Sequence, residues 1–409
     1  MTDSYEKDSK SIDELIQIAQ DLIEQKVEVL KRPTIIRVKA LDKKLSLRDR
    51  DIYHILNKAR NNLRKAEEGE TPDVEFDIKE EKWLWKNLIA EGTLNLVVSM
   101  PKVGKSSLIS AFLGALKAES TEFLGQKLLG GVRSVHICGT DQPLNDWMQI
   151  LMPVELASNT FEGKGVINFP LKKLWHKGKP IYLTEEYIQK LEEIAKADPN
   201  SIFVFDAFAS LISGTGLDEN HAECVEPVRM LFEALVPTGA TIILLHHEGS
   251  TNSHRRASEA SRGTNALPAE ASQIIQLNWL NPENKDDSRI SVSTQGRNSK
   301  PVDMVIEQVD RAVWVHHGST QEIKEELKIE KIINGLTERQ QNVYQIIKEH
   351  PIDFITPTEV SKKVKFAKKE KTNLDLCRRT LDQLVKKKLV ENKKTSTDKA
   401  VENRYRKLH

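Results

Sequence analysis

The sequence predicts an α/β protein: a mainly parallel sheet between helices, preceded by a helical segment and followed by a small helix-and-hairpin piece. Three observations carry this. Between about residues 80 and 318, short unbroken apolar runs alternate with helical patterns, as strands buried on both faces require. The run Leu94–Ser99 (LNLVVS) leads through a tight loop into a helix bearing Leu108, Ile109, Phe112 and Leu113. A second apolar run, Ile-Phe-Val-Phe, ends in a carboxylate at Asp206.

Residues 1–75 read as a charged helical segment. Leu15, Ile18, Leu22, Ile23, Val27 and Leu30 recur as on one face of a helix that Pro33 ends; residues 34–38 fit an extended run. A second helix spans residues 46–68, with Ile52, Ile55, Leu56 and Leu63 inward, and residues 67–73 form a linker. Residues 76–320 form the α/β domain, with strands at 94–99, 134–139, 202–206, 241–247, 271–277, 289–294, 302–307 and 313–316. In residues 336–409 the pattern changes. One helix starts at Thr337, a second at the capping sequence Thr356-Pro-Thr-Glu359, and a third covers residues 372–387. Segments 389–392 and 403–407 then flank a polar hairpin loop. Three short helices and a basic hairpin resemble a winged-helix domain.

Charge divides the chain. There are 61 Lys+Arg and 60 Asp+Glu, a formal net of +1. Residues 336–409 hold 19 basic and 10 acidic side chains, so this piece is +9 and the first 335 residues are −8. Near-neutrality of the whole therefore does not exclude nucleic acid. No apolar run approaches the roughly 18 residues of a membrane span, and the polar N-terminus lacks an apolar signal core. Cys138, Cys224 and Cys377 have neither zinc nor disulfide spacing. A soluble cytoplasmic protein without membrane partners is expected.

The chemistry concentrates at Pro101-Lys102-Val103-Gly104-Lys105-Ser106-Ser107. A strand, a tight loop ending Gly-Lys-Ser and a following helix make a phosphate cradle, because loop and first-turn N–H groups converge where the helix dipole favours anions. Lys105 is placed to reach the β- and γ-phosphates of ATP, and the Ser106 hydroxyl to ligate Mg²⁺. Ser99 stands where the general pattern has its first Gly. Asp206 supplies the second metal-side oxygen, or alternatively caps the next helix.

At these residues the chain resembles the RecA-like P-loop ATPases, nearest the RepA-like replicative helicases. Ser-Met-Pro-Lys-Val-Gly-Lys-Ser, the pair His246-His247 after a strand, and Ser-Arg-Gly-Thr-Asn-Ala-Leu at 261–267 carry the resemblance. It implies Asp141 as the carboxylate that polarises the attacking water, with a turn-forming role before Pro143 as the alternative. It further implies a nucleotide-sensing histidine at His247, or else packed histidines at a strand end. A channel loop at 251–262 would carry Arg255 and Arg256 to single-stranded DNA, if it is not simply a solvent loop. Arg297, or Arg262, would be an arginine finger acting on a neighbouring subunit's site. That last role requires a homo-oligomer, possibly a hexamer. In the basic C-terminal piece, Arg378, Arg379, Lys393 and Lys394 are the expected duplex-DNA contacts. The expectation is a Mg-ATP-dependent DNA motor of a plasmid or other mobile element. The alternative is a nucleotide-gated DNA-binding regulator or loader that does not unwind.

Overall fold

Nine strands build the central sheet: β1 (Leu94–Ser99), β2 (Val135–Gly139), β3 (Leu171–His176), β4 (Ile202–Phe205), β5 (Thr241–His247), β6 (Gln273–Trp279), β7 (Arg289–Gly296), β8 (Asp303–Asp310) and β9 (Val313–Gly318). This is a computed structural model, describing residues 2–25, 27, 31–68, 80–217, 222–247, 266–349, 354–397 and 400–408. The spatial order is β9-β8-β7-β6-β1-β5-β4-β2-β3. From β3 across to β6 every neighbouring pair is parallel, and β7 and β8 continue antiparallel. All six residues of β1 are buried, as a strand covered on both faces must be. Val97 packs into one apolar layer, with Phe112, Leu113 and Trp147. Leu96 and Val98 pack into the other, with Leu191, Phe208 and Leu231. This is the α/β, largely parallel architecture read from the sequence.

Three helices, α1 (Thr2–Glu24), α2 (Arg32–Asp42) and α3 (Asp49–Glu68), share a small core of Leu15, Ala19, Ile36, Ala40, Ile52, Ile55 and Ala59. Residues 34–38 are therefore helical rather than extended. Pro33 lies in the first turn of α2, where its missing N–H costs nothing, so it starts a helix instead of ending one. Helices α4 (Lys105–Lys117) and α5 (Leu144–Leu151) cover one sheet face. On the other lie α6 (Glu185–Ala197), α7 (Phe208–Ile212) and α8 (Glu226–Leu235), while α9 (Ala266–Glu270) precedes β6. Among the described residues, the carboxylate of Glu185 ties the helical segment to this body by two ion pairs. Arg32 Nη1 lies 3.0 Å from Glu185 Oε1, and Arg60 Nη2 lies 2.6 Å from Glu185 Oε2.

The chain divides into two compact units, Met1–His317 and Gly318–His409. The second begins with α10 (Thr320–Asn334), whose Ser319 and Glu322 form a reciprocal capping box. The reading of the sequence places no helix in that stretch. Then follow α11 (Glu338–Lys348), α12 (Pro357–Lys363), α13 (Glu370–Lys386) and the antiparallel pair β10 (Val390–Thr397) and β11 (Ala400–Lys407). The strands extend through most of the segment expected as a loop. Asn373 fixes the angle between α12 and α13. Its Oδ1 accepts from Phe366 N at 2.6 Å, and its Nδ2 donates to Ser361 O at 2.9 Å and Val364 O at 2.8 Å. The hairpin is tied to α13 by Tyr405 Oη, which donates to Asp382 Oδ1 at 2.9 Å.

His136 on β2 is buried and stacked on Phe203, its Nε2 3.6 Å from Asp198. Burial pushes its imidazole down to about 4, against the opposing charge of Asp198. A histidine kept neutral on folding contributes stability that is complete above the unfolded value and lost as pH falls toward the folded one. Urea titrations at pH 7 and pH 4 should therefore show the wild type losing about 3 kcal/mol more than His136→Phe. Equal losses in the two proteins would refute this.

Candidate nucleotide site

The carboxyl edge of β1, β4 and β5 brings the chemistry together. After Ser99 the chain turns through residues 100–104 and enters α4 at Lys105. Gly104 sits at φ 103° and caps the helix; a Cβ there would meet the Trp314 ring at 2.9 Å. Both facts require glycine. The first-turn N–H groups of α4 have no acceptors within the helix and so face the loop.

Lys105 is buried. Its ammonium donates to Ser99 Oγ at 2.9 Å, Ser99 O at 3.1 Å and Met100 O at 3.3 Å, and lies 3.3 Å from His247 Nδ1. The Ser99 side chain, in place of the usual glycine, turns inward and supports the lysine. It also donates to Met100 O at 2.8 Å.

Opposite the lysine, the Ser106 hydroxyl donates to Asp206 Oδ2. Asp206 follows β4 and is buried. Burial raises its carboxyl above the usual range, against the Ser106 hydrogen bond and the Lys105 charge. A buried carboxylate and an adjoining hydroxyl are the hard oxygen donors that Mg²⁺ takes, so these two residues fit the ion. Asp141, just beyond β2, accepts from Ser210 Oγ at 2.9 Å through Oδ1, and its Oδ2 lies 3.9 Å from His247 Nε2. His247 holds this carboxyl below the usual range, with Ser210 adding to the effect and partial burial opposing it.

The histidine pair separates. His247 stands between Lys105 and Asp141, whereas His246 is fully buried, edge-on to Phe208 at 5.3 Å. Arg297 is not part of this edge. It follows Gly296, which pairs with Gln273; Gln273 in turn aligns with Asn95, at the opposite end of β1 from Ser99. Four strand residues, about 13 Å, separate those ends. Its guanidinium donates to Ala269 O at 2.8 Å. Arg255, Arg256 and Arg262 lie outside the described residues.

Sequence reasoning overlooks Gln142, Ser210 and Trp314. The Gln142 amide donates to Ser106 Oγ at 2.9 Å and to Asp206 Oδ2 at 3.0 Å. It therefore orients both candidate metal-side groups. Its one signal in the sequence is its place beside Asp141; Ser210 and Trp314 carry none.

Residues 63–253 match the family model of an AAA domain. The match spans the loop, Asp141, Asp206 and the histidine pair. Over these residues the chain is similar to an AAA domain. Among curated proteins no sequence matches the chain. One similar solved structure is a KaiC-like protein from the hyperthermophilic archaeon Pyrococcus horikoshii. It is 14% identical, and the alignment covers 58% of this chain and 99% of that one at a TM-score of 0.39. A second similar structure, solved as an ATPase domain, is 10% identical, with 64% of this chain and 98% of that one covered at a TM-score of 0.42.

If Ser106 and Asp206 take the cation, Gln142→Ala should weaken Mn²⁺ binding to the nucleotide complex by about 10- to 100-fold, as loss of an orienting outer partner does. Nucleotide affinity in the presence of a chelator should stay unchanged. Electron paramagnetic resonance titration measures the first quantity, and unaltered Mn²⁺ affinity would rule the orienting role out.

Proposed function

We propose that the protein is a Mg-ATP-dependent, oligomeric DNA motor of the RepA-like replicative helicase kind, belonging to a plasmid or other mobile element. The observation that supports this most is the convergence of Lys105, His247 and Asp141 beside Ser106 and Asp206 at one sheet edge. Such an edge can bind a triphosphate, hold a cation and orient a water. In this reading the Lys105 ammonium leaves the loop oxygens for the phosphates. Ser106 and Asp206 hold Mg²⁺, which neutralises phosphate charge when bound. Asp141, kept ionised by His247, accepts the proton of the attacking water. Arg297 lies away from its own chain's site, which suits a finger offered to a neighbouring copy; Arg262 is the other choice.

The C-terminal unit supports a second contact. Its helices α11, α12 and α13 with the hairpin suit a winged helix, in which α13 enters the major groove and the hairpin touches the backbone. Arg378 and Arg379 on α13, and Lys393 and Lys394 on β10, are exposed. Arg378 Nη1 also lies 3.7 Å from Asp375. Residues 251–262, which lie outside the described residues, are the proposed grip on single-stranded DNA.

One observation favours the alternative of a nucleotide-gated regulator or loader. Asp141 is one methylene shorter than the glutamate that the resemblance implies, and its oxygens lie toward Ser210 and His247. Strand displacement on a forked duplex separates the two readings, since a regulator binds ATP without unwinding.

ATP hydrolysis by the wild type should rise with single-stranded DNA, and Lys105→Ala should lower it on the order of 100-fold or more. Equal rates in wild type and variant would remove the enzyme reading. Replacing Arg378 and Arg379 with Ala should weaken duplex binding. It should also reduce the slope of log affinity against log salt by about 0.9 for each lost phosphate contact. An unchanged slope would remove these residues from the DNA contact.

A further inference from the structure

Residues 161–180 differ from the acidic body around them: they contain five lysines against one carboxylate, Glu162. That carboxylate is paired with Lys164 at 2.9 Å. The segment starts at the tip of a hairpin (Ala157–Asn159 with Gly165–Ile167) and runs through β3, the edge strand of the central sheet. Phe161 at the hairpin tip is fully exposed, and Phe169, just before β3, is 61% exposed. On β3, Lys172 and Lys173 are also exposed. Lys172 Nζ lies 5.7 Å from the Phe169 ring centroid, and Lys173 Nζ lies 5.8 Å from that of Trp175.

Phe161 and most of Phe169 stand in water and so forgo most of the roughly 1.5–3 kcal/mol that burying such a side chain contributes. Neighbouring exposed apolar groups mark a surface that meets something else. The lysines indicate what. The cores of protein–protein interfaces are depleted of lysine, yet here lysines alternate with the rings. Aromatic faces interleaved with cations fit single-stranded nucleic acid, whose unstacked bases lie on the rings while its phosphates meet the ammonium groups. A duplex keeps its bases stacked and leaves the rings unused. Phe169 lies eight positions beyond Phe161, a chain reach of at most about 29 Å. That span suits a site of a few nucleotides.

We propose that the hairpin tip and β3 edge form a contact surface for single-stranded nucleic acid, on residues other than 251–262 and 336–409. That the strand is DNA rests on the motor reading above. The chain binds it through Phe161 and Phe169 by stacking, and through Lys172 and Lys173 by charge.

The test uses the full chain and a fluorescein-labelled dT20, read by anisotropy over a range of salt concentrations. Phe161→Ala with Phe169→Ala should weaken dT20 binding about tenfold or more, at an unchanged salt slope. Lys172→Glu with Lys173→Glu should lower the slope by about 0.7 for each lost contact. Nucleotide affinity should remain at the wild-type level in both, which shows that the body is folded. Wild-type dT20 affinity in both variants would overturn this inference alone, whereas a wild type that binds no dT20 would overturn the DNA reading with it. If affinity falls only together with assembly mass in sedimentation, the surface belongs to a second copy of the chain, and the proposal fails.

Discussion

Two opposite charges, the Lys105 ammonium and the Asp206 carboxylate, are buried at one edge of a parallel sheet, and the arrangement of the body follows from keeping both satisfied. An uncompensated buried ion costs several kcal/mol. The protein meets that cost with hydrogen bonds from fixed positions. Ser99 and Met100 oxygens hold the ammonium; Ser106 and Gln142 hold the carboxylate. Parallel strands make this possible, because β1, β4 and β5 all deliver their carboxyl ends to the same side. These hydroxyl, carbonyl and amide partners are neutral and weaker than a phosphate or a cation. A ligand bearing real charge can therefore compete with these groups for the ammonium and the carboxylate.

Where local chemistry dictates structure, the sequence is readable. The bounds of β1 and β5 coincide with the runs LNLVVS and TIILLHH, because a strand covered on both faces lacks the regular polar alternation of a half-exposed one. The cap at Thr356 has its expected partner in Glu359. The edge strand β3 escapes a search for apolar runs because Lys172 and Lys173 interrupt it, and an edge strand tolerates such residues. Pro33 reads as a stop and is a start; the same residue serves both ends of a helix, and tertiary packing of Ile36 and Ala40 decides. The polar hairpin reads as a loop, since neither strand offers an apolar alternation to detect.

At the site, the phosphate loop is legible because strand, glycine and helix are contiguous in sequence. Contacts between distant segments are not. Trp314 lies 210 residues beyond Gly104 yet covers it. His246 and His247 are indistinguishable as letters, and only the alternation of β5 sends one into the Phe208 layer and the other toward Lys105. Arg297 stands out in sequence by its place at a strand end. Register shows which end that is.

The turn after β2 joins these elements. Asp141 and Gln142 are consecutive, yet one side chain faces His247 and Ser210 and the other faces Ser106 and Asp206. The Asp141 backbone N–H donates to Asp206 O at 3.3 Å, and Gln142 O accepts from Lys177 N at 2.9 Å, which ties the turn to the ends of both β4 and β3. A displacement of this turn moves the Asp141 carboxylate and the Gln142 amide together. The histidine–lysine half and the hydroxyl–carboxylate half of the site therefore cannot change independently. The same turn reaches Lys177 at the end of β3, the edge strand that carries Lys172 and Lys173. Two backbone hydrogen bonds thus connect the end of β4, through the turn, to that edge.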